Sequence, residues 1–413
     1  MDHVRSLKCL LCGAEYRPDE IDYVCPHHGD NGIVDVQYDY ELIGRRINPQ
    51  ALAANPDLSI WRYRPLLPIE PDSEVPPLAI GWTPLYRADR LAAGLGLKHV
   101  WVKDDGRQPS ASFKDRASAI AVVKARERGA KVITTASTGN AAAALSTICA
   151  SVNQPNVIFV PESAPPAKIA QLLVYGSTVL LVRGTYDDAV ELCMQAAKEF
   201  GWYNRNTGYN PYMSEGKKTA ALEICEQLGW DAPDRIFVSV GDGCIIGGLH
   251  KGLKDLMALG WITHMPKLMG VQAAGSAALY DAWRGNVAGI DMQPIDADTI
   301  ADSISAGLPL DRIKALAAVR ETGGVYVKVT DEEILAAIPA LARSSGVFAE
   351  PAGAAAYAGL VKALADELVS PDERIVVLVT GNGLKDIASA RKAVGEPFVV
   401  DKDLDDVKRV MRS

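Results

Sequence analysis

Short apolar segments alternate with stretches of helical periodicity from about residue 98 onward. Two parallel strands need a long crossover, which is usually a helix, so this alternation is typical of an α/β fold with mostly parallel sheets. The pattern predicts strands at residues 99–102, 131–135, 156–160, 178–182, 235–240, 267–271 and 374–379. Residues 36–95 carry clustered prolines instead and predict an extended lead-in with few regular elements.

Composition places the chain among globular proteins. Its 413 residues are 48% hydrophobic and 23% charged, which suits roughly two to three domains with sizeable cores. The net charge of −8 argues against nucleic acids and anionic membranes as partners. The sequence shows no signal peptide or membrane-spanning segment, and its seven scattered cysteines do not suggest a disulfide framework. We therefore expect a cytoplasmic protein.

Lys114 stands in the segment Ser112-Phe113-Lys114-Asp115, at the start of a helix predicted over residues 115–128. A cation in the first helical turn is unfavourable, because the helix dipole is positive there. A partly buried cleft at such a place favours the neutral amine, which is the form that attacks a cofactor aldehyde. A lone lysine is more often a solvated surface residue, so the case for a nucleophile depends on motifs elsewhere in the chain.

Ligands of open parallel sheets bind beyond the carboxyl ends of the strands, and three predicted turns there carry polar groups. The first turn reads Ser137-Thr138-Gly139-Asn140 and precedes a helix predicted over residues 141–151. Its hydroxyls, backbone amides and flexible glycine form a suitable receptor for a carboxylate. The same four residues also suit an ordinary helix cap, so both interpretations stay open.

The second turn is rich in glycine and precedes a helix predicted over residues 249–259. Its sequence is Gly241-Asp242-Gly243-Cys244-Ile245-Ile246-Gly247-Gly248. Consecutive amides of this kind are typical of a phosphate nest, whereas the glycine spacing does not match a dinucleotide fingerprint. The third turn follows residues 374–379, and Thr380 presents a hydroxyl at the tip of that strand.

Two short pairs of metal-binding residues lie near the N-terminus. They are Cys9 with Cys12 and Cys25 with His28, each pair separated by two residues and followed by glycine. Three thiolates and one imidazole suit a tetrahedral zinc ion, which would be structural because all ligands come from the protein. His27 is an alternative fourth ligand, and a small hairpin with packed cysteines is the alternative to a metal site.

A lysine nucleophile, a carboxylate receptor, a phosphate nest and a strand-end hydroxyl together suit pyridoxal phosphate as cofactor. With these motifs the chain resembles the threonine synthase family, within the fold type II (tryptophan-synthase-like) pyridoxal phosphate enzymes. The resemblance spans nearly the whole chain in the right order. The matching segments are Trp61-Arg62-Tyr63-Arg64-Pro65-Leu66-Leu67-Pro68, Gly81-Trp82-Thr83-Pro84-Leu85, Lys103-Asp104-Asp105-Gly106, Phe113-Lys114-Asp115-Arg116, residues 137–140, Glu215-Gly216-Lys217-Lys218-Thr219, Glu350-Pro351-Ala352-Gly353 and residues 380–386.

The resemblance implies a role for each motif. Lys114 forms the Schiff base and removes the substrate α-proton, and Asn140 binds the phenolic oxygen of the cofactor. Thr380 contacts the pyridine nitrogen, and Phe113 packs beside the ring. The cofactor phosphate is held by Gly241, Asp242, Gly243, Cys244 and Ile245. The substrate is bound by Ser137, Thr138 and Lys217.

We expect a zinc-ribbon-like segment over residues 1–35, a large domain over residues 36–109 and 213–413, and a small domain over residues 110–212. The implied activity is a lyase reaction that converts O-phospho-L-homoserine and water into L-threonine and phosphate, in a homodimer. Methionine at position 213 departs from the family pattern, which has a phosphate-binding arginine there, although Lys217 can restore a charge. The alternative activity is β-elimination or β-replacement on serine, threonine or phosphoserine.

Overall fold

Thirteen β-strands form three separate sheets among residues 1–137, 139–164 and 166–412, which are the residues that this computed structural model describes. A three-stranded antiparallel sheet has the order β2-β1-β3, a six-stranded sheet the order β12-β11-β10-β13-β5-β4, and a four-stranded sheet the order β8-β7-β6-β9. The strands are β1 (Val4–Cys9), β2 (Glu15–Tyr16), β3 (Val34–Tyr38), β4 (Leu85–Arg87), β5 (His99–Asp104), β6 (Ile133–Ala136), β7 (Asn156–Pro161), β8 (Thr178–Val182), β9 (Tyr203–Asn204), β10 (Arg235–Ser239), β11 (Lys267–Ala273), β12 (Tyr326–Val329) and β13 (Arg374–Val379).

Parallel pairing dominates the two larger sheets. Strand β4 pairs antiparallel with β5 at one edge, whereas all other neighbours in these sheets run parallel. The mostly parallel α/β fold is therefore confirmed, and each of the predicted strands is present. The strands β4, β9 and β12 were not predicted, because segments of two to four residues are too short to carry a periodic signal.

Sixteen α-helices connect and cover these strands within the described residues. They are α1 (Tyr40–Arg46), α2 (Pro49–Ala53), α3 (Asp89–Gly94), α4 (Lys114–Glu127), α5 (Asn140–Ser151), α6 (Pro166–Val174), α7 (Tyr186–Phe200), α8 (Tyr212–Lys217), α9 (Thr219–Gln227), α10 (Cys244–Ala258), α11 (Ala278–Arg284), α12 (Arg312–Glu321), α13 (Asp331–Ser345), α14 (Pro351–Ala365), α15 (Ile387–Lys392) and α16 (Leu404–Val410). None of these helices combines the length and the apolar character that crossing a membrane requires.

Both faces of the six-stranded sheet are covered by helices. In β10, Ile236 and Val238 are buried in the hydrophobic cluster that contains α10, whereas Phe237 between them is buried in the cluster that contains α14. Side chains of a strand alternate between the two faces, so a strand covered on both faces is apolar at every position. Groups that bind a ligand are therefore expected mainly at the strand ends and in the turns beyond them.

The helix after the glycine-rich turn begins earlier than predicted. We predicted residues 249–259, but α10 starts at Cys244, so Gly247 and Gly248 lie inside the helix and not in a loop. A Cβ atom on Gly247 would lie 2.9 Å from the Cβ of Lys314, and one on Gly248 would lie 2.6 Å from the Cβ of Lys217. These two glycines therefore allow neighbouring segments to pack closely against α10.

The four-stranded sheet is built from strands between residues 133 and 204, inside the range predicted for a small domain. The antiparallel N-terminal sheet extends to Tyr38, slightly beyond the predicted ribbon segment. The lead-in predicted as extended contains the short helices α1 and α2 and a 3-10 helix, Ile60–Leu66, so it has more regular structure than expected. The domain boundaries themselves stay a prediction.

Candidate active site

The carboxyl ends of β5, β13 and β10 lie side by side, because these strands are parallel neighbours in the six-stranded sheet. Backbone hydrogen bonds join the segment before α4 to the turn after β13. The Phe113 N–H donates to the Thr380 carbonyl oxygen at 2.8 Å, and the Asn382 N–H donates to the Ala111 oxygen at 3.0 Å. Lys114 and Thr380 are thus held at the edge of the sheet where the glycine turn also lies.

Lys114 is the first residue of α4, at the helix start that the sequence predicts. Its side chain is partly exposed, and its amine has no hydrogen-bond or carboxylate partner among the described residues. Burial of the amine, followed by the positive charge of Lys217, lowers the pKa of Lys114 from 10.5 to about 8. A substantial fraction of the amine is therefore neutral at mildly alkaline pH, as a nucleophile or base requires.

The turn after β6 brings polar groups to the start of α5. The side-chain amide of Asn140 donates to Oε1 of Glu350 at 2.6 Å and to the Ser303 hydroxyl at 3.3 Å, so both of its hydrogens are engaged and one has to be released before it can donate to a ligand. The Ser137 hydroxyl oxygen accepts from the Gly139 N–H at 3.2 Å. Thr138, the remaining predicted residue of this turn, lies outside the described residues.

The turn after β10 leads tightly into α10. Gly243 has a φ of +88°, and the first amides of the helix, those of Cys244 and Ile245, have no acceptor within the helix. Gly241 has no room for a side chain, because a Cβ there would lie 2.7 Å from the Cα of Ile304. A helix start of this kind, approached by a glycine turn, is suited to a phosphate group.

Asp242 lies in the same turn, with its carboxylate directed at the loop before α12. Its Oδ1 accepts from the Leu310 N–H at 3.4 Å, and its backbone oxygen accepts from the Asp311 N–H at 2.8 Å. Burial raises the pKa of Asp242. The side chain therefore anchors the loop, and the backbone amide of Asp242 is its remaining contribution to a phosphate nest.

Thr380 and Phe113 are joined by a backbone hydrogen bond, and both of their side chains are buried. The Thr380 hydroxyl is buried and lies 3.4 Å from the hydroxyl of Ser239 at the end of β10. The Phe113 ring is fully buried, and the guanidinium carbon of Arg116 lies 5.5 Å from its centroid. Thr380 thus offers a neutral hydroxyl at the strand tip, while Phe113 is fixed in the core beside the first turn of α4.

A fully buried network of ion pairs connects α4 to the neighbouring strand β5 and helix α9. Arg116 is 2.6 Å from Asp105 and 2.5 Å from Glu223, and Lys103 is 2.7 Å from the same glutamate. These residues belong to α4, to β5 and the turn after it, and to α9. Every charge in the network has an opposite partner, so the network fixes the direction of α4 and therefore the position of Lys114.

The two residues at which the sequence departs from the family pattern lie on α8. Met213 is 1% exposed and packs in the core, and its thioether has no hydrogen to donate. Lys217 is also fully buried, and its amine lies 3.4 Å from the Thr207 hydroxyl. Burial lowers the pKa of Lys217.

A cavity of about 320 Å³ opens beside the start of α5. It is lined by Asn140, Glu350, Lys168 and Lys385, among others. Sequence reasoning gave no role to Glu350, which is buried and accepts the Asn140 amide. Burial raises the pKa of Glu350. Glu350 directly precedes α14, and no sequence signal pairs it with a residue 210 positions away.

The predicted metal ligands lie together beside the N-terminal sheet. Candidate ligand atoms of Cys9, Cys12, Cys25 and His28 all lie within 4.8 Å of one another. The sulfur atoms of Cys12 and Cys25 are 3.9 Å apart, and Nδ1 of His27 is 4.0 Å from the Cys12 sulfur. His28 therefore completes the compact group, whereas His27 contacts only one of its members in the described part of the chain.

The groups at the sheet edge fit pyridoxal phosphate. The cofactor needs an amine for its aldehyde, donors for its phosphate and a partner for its ring nitrogen. Lys114 supplies an amine with a lowered pKa, the start of α10 supplies amides, and Thr380 supplies a hydroxyl. These residues therefore supply the three kinds of group that the cofactor needs.

Comparison with known proteins agrees with this geometry. A model of the family described as pyridoxal-phosphate dependent enzyme matches residues 77–381, which include Lys114, Gly241 and Thr380. The threonine synthase of Methanocaldococcus jannaschii is 39% identical over 407 residues, covering 98% of this chain and 99% of that protein. The threonine synthase of Methanosarcina acetivorans is 40% identical over 408 residues, covering 98% of each protein.

Solved structures share the fold at lower identity. Threonine deaminase isoform 2 from Solanum lycopersicum superposes with a TM-score of 0.64 at 24% identity, covering 76% of this chain and 87% of that one. Maize serine racemase superposes with a TM-score of 0.62 at 22% identity, covering 80% and 91%. Since the fold is that of fold type II enzymes and the sequence similarity extends over almost the whole chain, the chain belongs to the threonine synthase family of pyridoxal-phosphate dependent enzymes.

Proposed function

We propose that the protein is a threonine synthase, a pyridoxal-phosphate dependent lyase that converts O-phospho-L-homoserine and water into L-threonine and phosphate. The observation that carries this proposal is the similarity to two threonine synthases, at 39% and 40% identity over 98% of the chain. The arrangement of Lys114, Thr380 and the start of α10 around one sheet edge supports it, because these groups serve the cofactor that the reaction needs.

Bound pyridoxal phosphate supplies the electron sink that makes the proton on the substrate Cα acidic. Lys114 is the residue that holds the cofactor covalently and that, once released, takes the proton from Cα. Its lowered pKa favours the neutral amine that both tasks require. Loss of a proton from Cβ and of the γ-phosphate, return of one proton each to Cγ and Cα, and addition of water at Cβ complete the conversion to L-threonine.

Three other segments orient the reacting groups. The turn before α5 receives the substrate carboxylate through Ser137 and the neighbouring amides, together with Thr138, and Asn140 binds the ring oxygen. The amides of residues 241–245 hold the cofactor phosphate at the start of α10. Thr380 would offer the ring nitrogen a neutral hydroxyl, which would give a weaker electron sink than a carboxylate partner.

The proposal is tested by incubating the purified holoenzyme with O-phospho-L-homoserine and measuring L-threonine and inorganic phosphate. We expect both products in equal amounts, and none from a Lys114→Ala protein. L-Serine, L-threonine and O-phospho-L-serine are the comparison substrates. Ammonia and a keto acid from serine or threonine, without phosphate from O-phospho-L-homoserine, would contradict the proposal and favour the β-elimination alternative.

We further propose that Cys9, Cys12, Cys25 and His28 bind one structural zinc ion. The mutual closeness of their ligand atoms supports this, since tetrahedral ligands at bond lengths of about 2.0–2.3 Å must lie near one another. Metal analysis of the purified protein should find about one zinc per chain and almost none in a Cys12→Ser variant. Cys12 is exposed, so its replacement does not disturb the core, and Cys225→Ala is the control at a distant buried cysteine. Zinc that persists in Cys12→Ser would contradict this ligand set.

The composition of the chain also bears on the partners, oligomeric state and compartment of the enzyme. Its partners are small amino-acid substrates, and neither nucleic acid nor membrane binding is expected at a net charge of −8. A homodimer in the cytoplasm stays a prediction. Light scattering from the purified holoenzyme would measure the mass of the assembly and test the dimer directly.

A further inference from the structure

Arg205 is a buried cation without an anionic partner. It follows β9, is 1% exposed, and donates from Nε to the Ser118 hydroxyl at 3.2 Å. Its Nη2 atom is buried with no hydrogen-bond acceptor, and no carboxylate of the described residues forms a salt bridge with it. Burial lowers the pKa of Arg205 to about 10. A guanidinium in such surroundings is unfavourable unless a ligand supplies the missing acceptor and charge.

Lys217 shares this property with Arg205. Five cationic side chains of the described residues are less than 2% exposed, and three of them have carboxylate partners: Lys103, Arg116 and Lys218. Lys217 has only the 3.4 Å contact with the Thr207 hydroxyl. Arg205 and Lys217 are therefore the two members of this set that have no carboxylate partner among the described residues.

Both cations lie next to Lys114. Ser118, which accepts from Arg205, is four residues beyond Lys114 in α4, so the two side chains lie on one face of that helix. Lys217 packs against the first part of α10, where Gly248 leaves room for its Cβ. The positive charges of Lys217 and Arg205 both contribute to the lowered pKa of Lys114.

The segment that carries Arg205 also contacts the end of β6, which leads to the carboxylate receptor. The Asn206 side-chain oxygen accepts from the Ala136 N–H at 3.0 Å and from the Thr135 hydroxyl at 2.8 Å. Arg205 is thus held between the catalytic helix and the turn that receives the substrate carboxylate.

Two phosphate groups require binding sites if the proposed function is correct. The cofactor phosphate has the amides at the start of α10. The substrate phosphate has no arginine at position 213, where the buried Met213 offers no donor. We propose that Arg205 and Lys217 together bind the phosphate group of the phosphorylated amino-acid substrate. This inference rests on the proposed function and adds the residues that select a phosphorylated substrate.

The test measures binding of a substrate analogue to the holoenzyme. The probe is the phosphonate analogue of O-phospho-L-homoserine in which a methylene group replaces the ester oxygen, titrated by calorimetry. L-Norvaline is the matched ligand, because it has the same carbon chain without the phosphonate. We expect Arg205→Met and Lys217→Gln each to weaken phosphonate binding about 100-fold, as loss of a buried charge partner does. Affinity for L-norvaline should stay at the wild-type value, and so should affinity for pyridoxal phosphate at a pH where Lys114 is neutral in every variant.

Two further variants separate charge from packing. Arg205→Lys keeps a cation and should recover part of the phosphonate affinity that Arg205→Met loses. Arg235→Met removes a buried arginine paired with Glu373 at the opposite end of β10, and it should leave both ligands and the cofactor unaffected. If Arg205→Met does not fold, Lys217→Gln carries the test, because glutamine removes the charge and keeps a polar side chain.

The alternative outcomes are distinct. Weaker binding of pyridoxal phosphate, with an unchanged ratio of phosphonate to norvaline affinity, would assign the cations to the cofactor and overturn the inference. Unchanged binding of the phosphonate in both variants would also overturn it. A wild-type holoenzyme that binds the phosphonate no better than L-norvaline and releases no phosphate from O-phospho-L-homoserine would instead reject the proposed function itself.

Discussion

Two groups of buried cations in this molecule differ in what neutralises them. Beneath α4, Arg116 and Lys103 are paired with Asp105 and Glu223, and all four side chains are inaccessible to solvent. In the candidate site, Arg205 and Lys217 are buried to the same degree, but no carboxylate within the described ranges pairs with them. The first group is neutralised within the folded chain, whereas the second would gain its counter-charge from an anionic ligand.

The same difference shows how the molecule separates stability from function. A paired charge contributes to the fold, because its loss leaves the partner buried and unpaired. An unpaired cation already bears that cost in the absence of ligand, and the cost is recovered when the ligand binds. Replacements in the two groups should therefore have opposite profiles, with the first group affecting unfolding and the second affecting binding and catalysis.

Lys114→Ala has the largest expected effect on activity, and it tests whether a cation without a carboxylate partner can be removed without loss of stability. It removes an amine without a carboxylate partner in the described residues, so the cofactor-free protein should unfold at the wild-type temperature or above. Threonine formation should fall by about 10⁴-fold or more, because the covalent link and the base are both lost. Steady-state rates and thermal unfolding measure the two quantities. A clear loss of stability would mean that Lys114 belongs with the paired group.

Arg116→Met is the corresponding change in the paired network. It leaves Asp105 without its cation and Glu223 with Lys103 alone. We expect the free energy of unfolding to decrease by about 3–5 kcal/mol, because uncompensated carboxylates stay buried. Urea unfolding of the cofactor-free proteins measures this decrease, and Arg87→Met at an exposed pair is the control. A decrease below about 1 kcal/mol would remove the distinction between the groups.

The fold and much of the site were predictable from the sequence, because both depend on local patterns. The alternation of strands and helices gave the parallel sheets, and parallel strands bring their carboxyl ends to one edge. That rule brought Lys114, Thr380 and the glycine turn together before any contact was known. The predicted start of α10 was wrong, because Gly247 and Gly248 disfavour a helix locally. In the folded chain these glycines are required inside the helix, since Lys217 and Lys314 pack closely against them.

The sequence analysis assigned no role to Arg205 or Glu350, because their roles depend on contacts with residues far away in the sequence. Arg205 lies between two polar residues after a two-residue strand, and nothing in that segment indicates burial or a missing partner. Glu350 was part of a motif, but its contact with Asn140 spans 210 residues of sequence. Burial and pairing are properties of tertiary packing, so a sequence read by periodicity and spacing identifies strand-end motifs but not unpaired charges.

The pH dependence of cofactor binding tests whether the pKa of Lys114 is lowered and whether the charge of Lys217 contributes to this. The neutral amine of Lys114 attacks the aldehyde, so the binding rate of the cofactor-free protein should rise with pH and level off above about pH 8. Below that pH the rate should fall about tenfold per unit, whereas a lysine of ordinary pKa would still gain rate near pH 10. Lys217→Gln removes a neighbouring charge and should move the midpoint upward. Visible absorbance follows the reaction, and a wild-type midpoint near pH 10 would contradict the lowered pKa.

Arg205→Met should affect stability much less than Arg116→Met, and this difference decides whether the two groups of cations differ in kind. In the cofactor-free protein without phosphate, the substitution removes a buried charge with no carboxylate partner in the described residues and one hydrogen bond to Ser118. The lost hydrogen bond and the relieved burial cost act in opposite directions, so the free energy of unfolding should change by no more than about 1 kcal/mol. Arg116→Met is the matched replacement, measured by urea unfolding in the same buffer. If both substitutions destabilised the protein equally, Arg205 would have an anionic partner of its own and would not be available to a substrate phosphate.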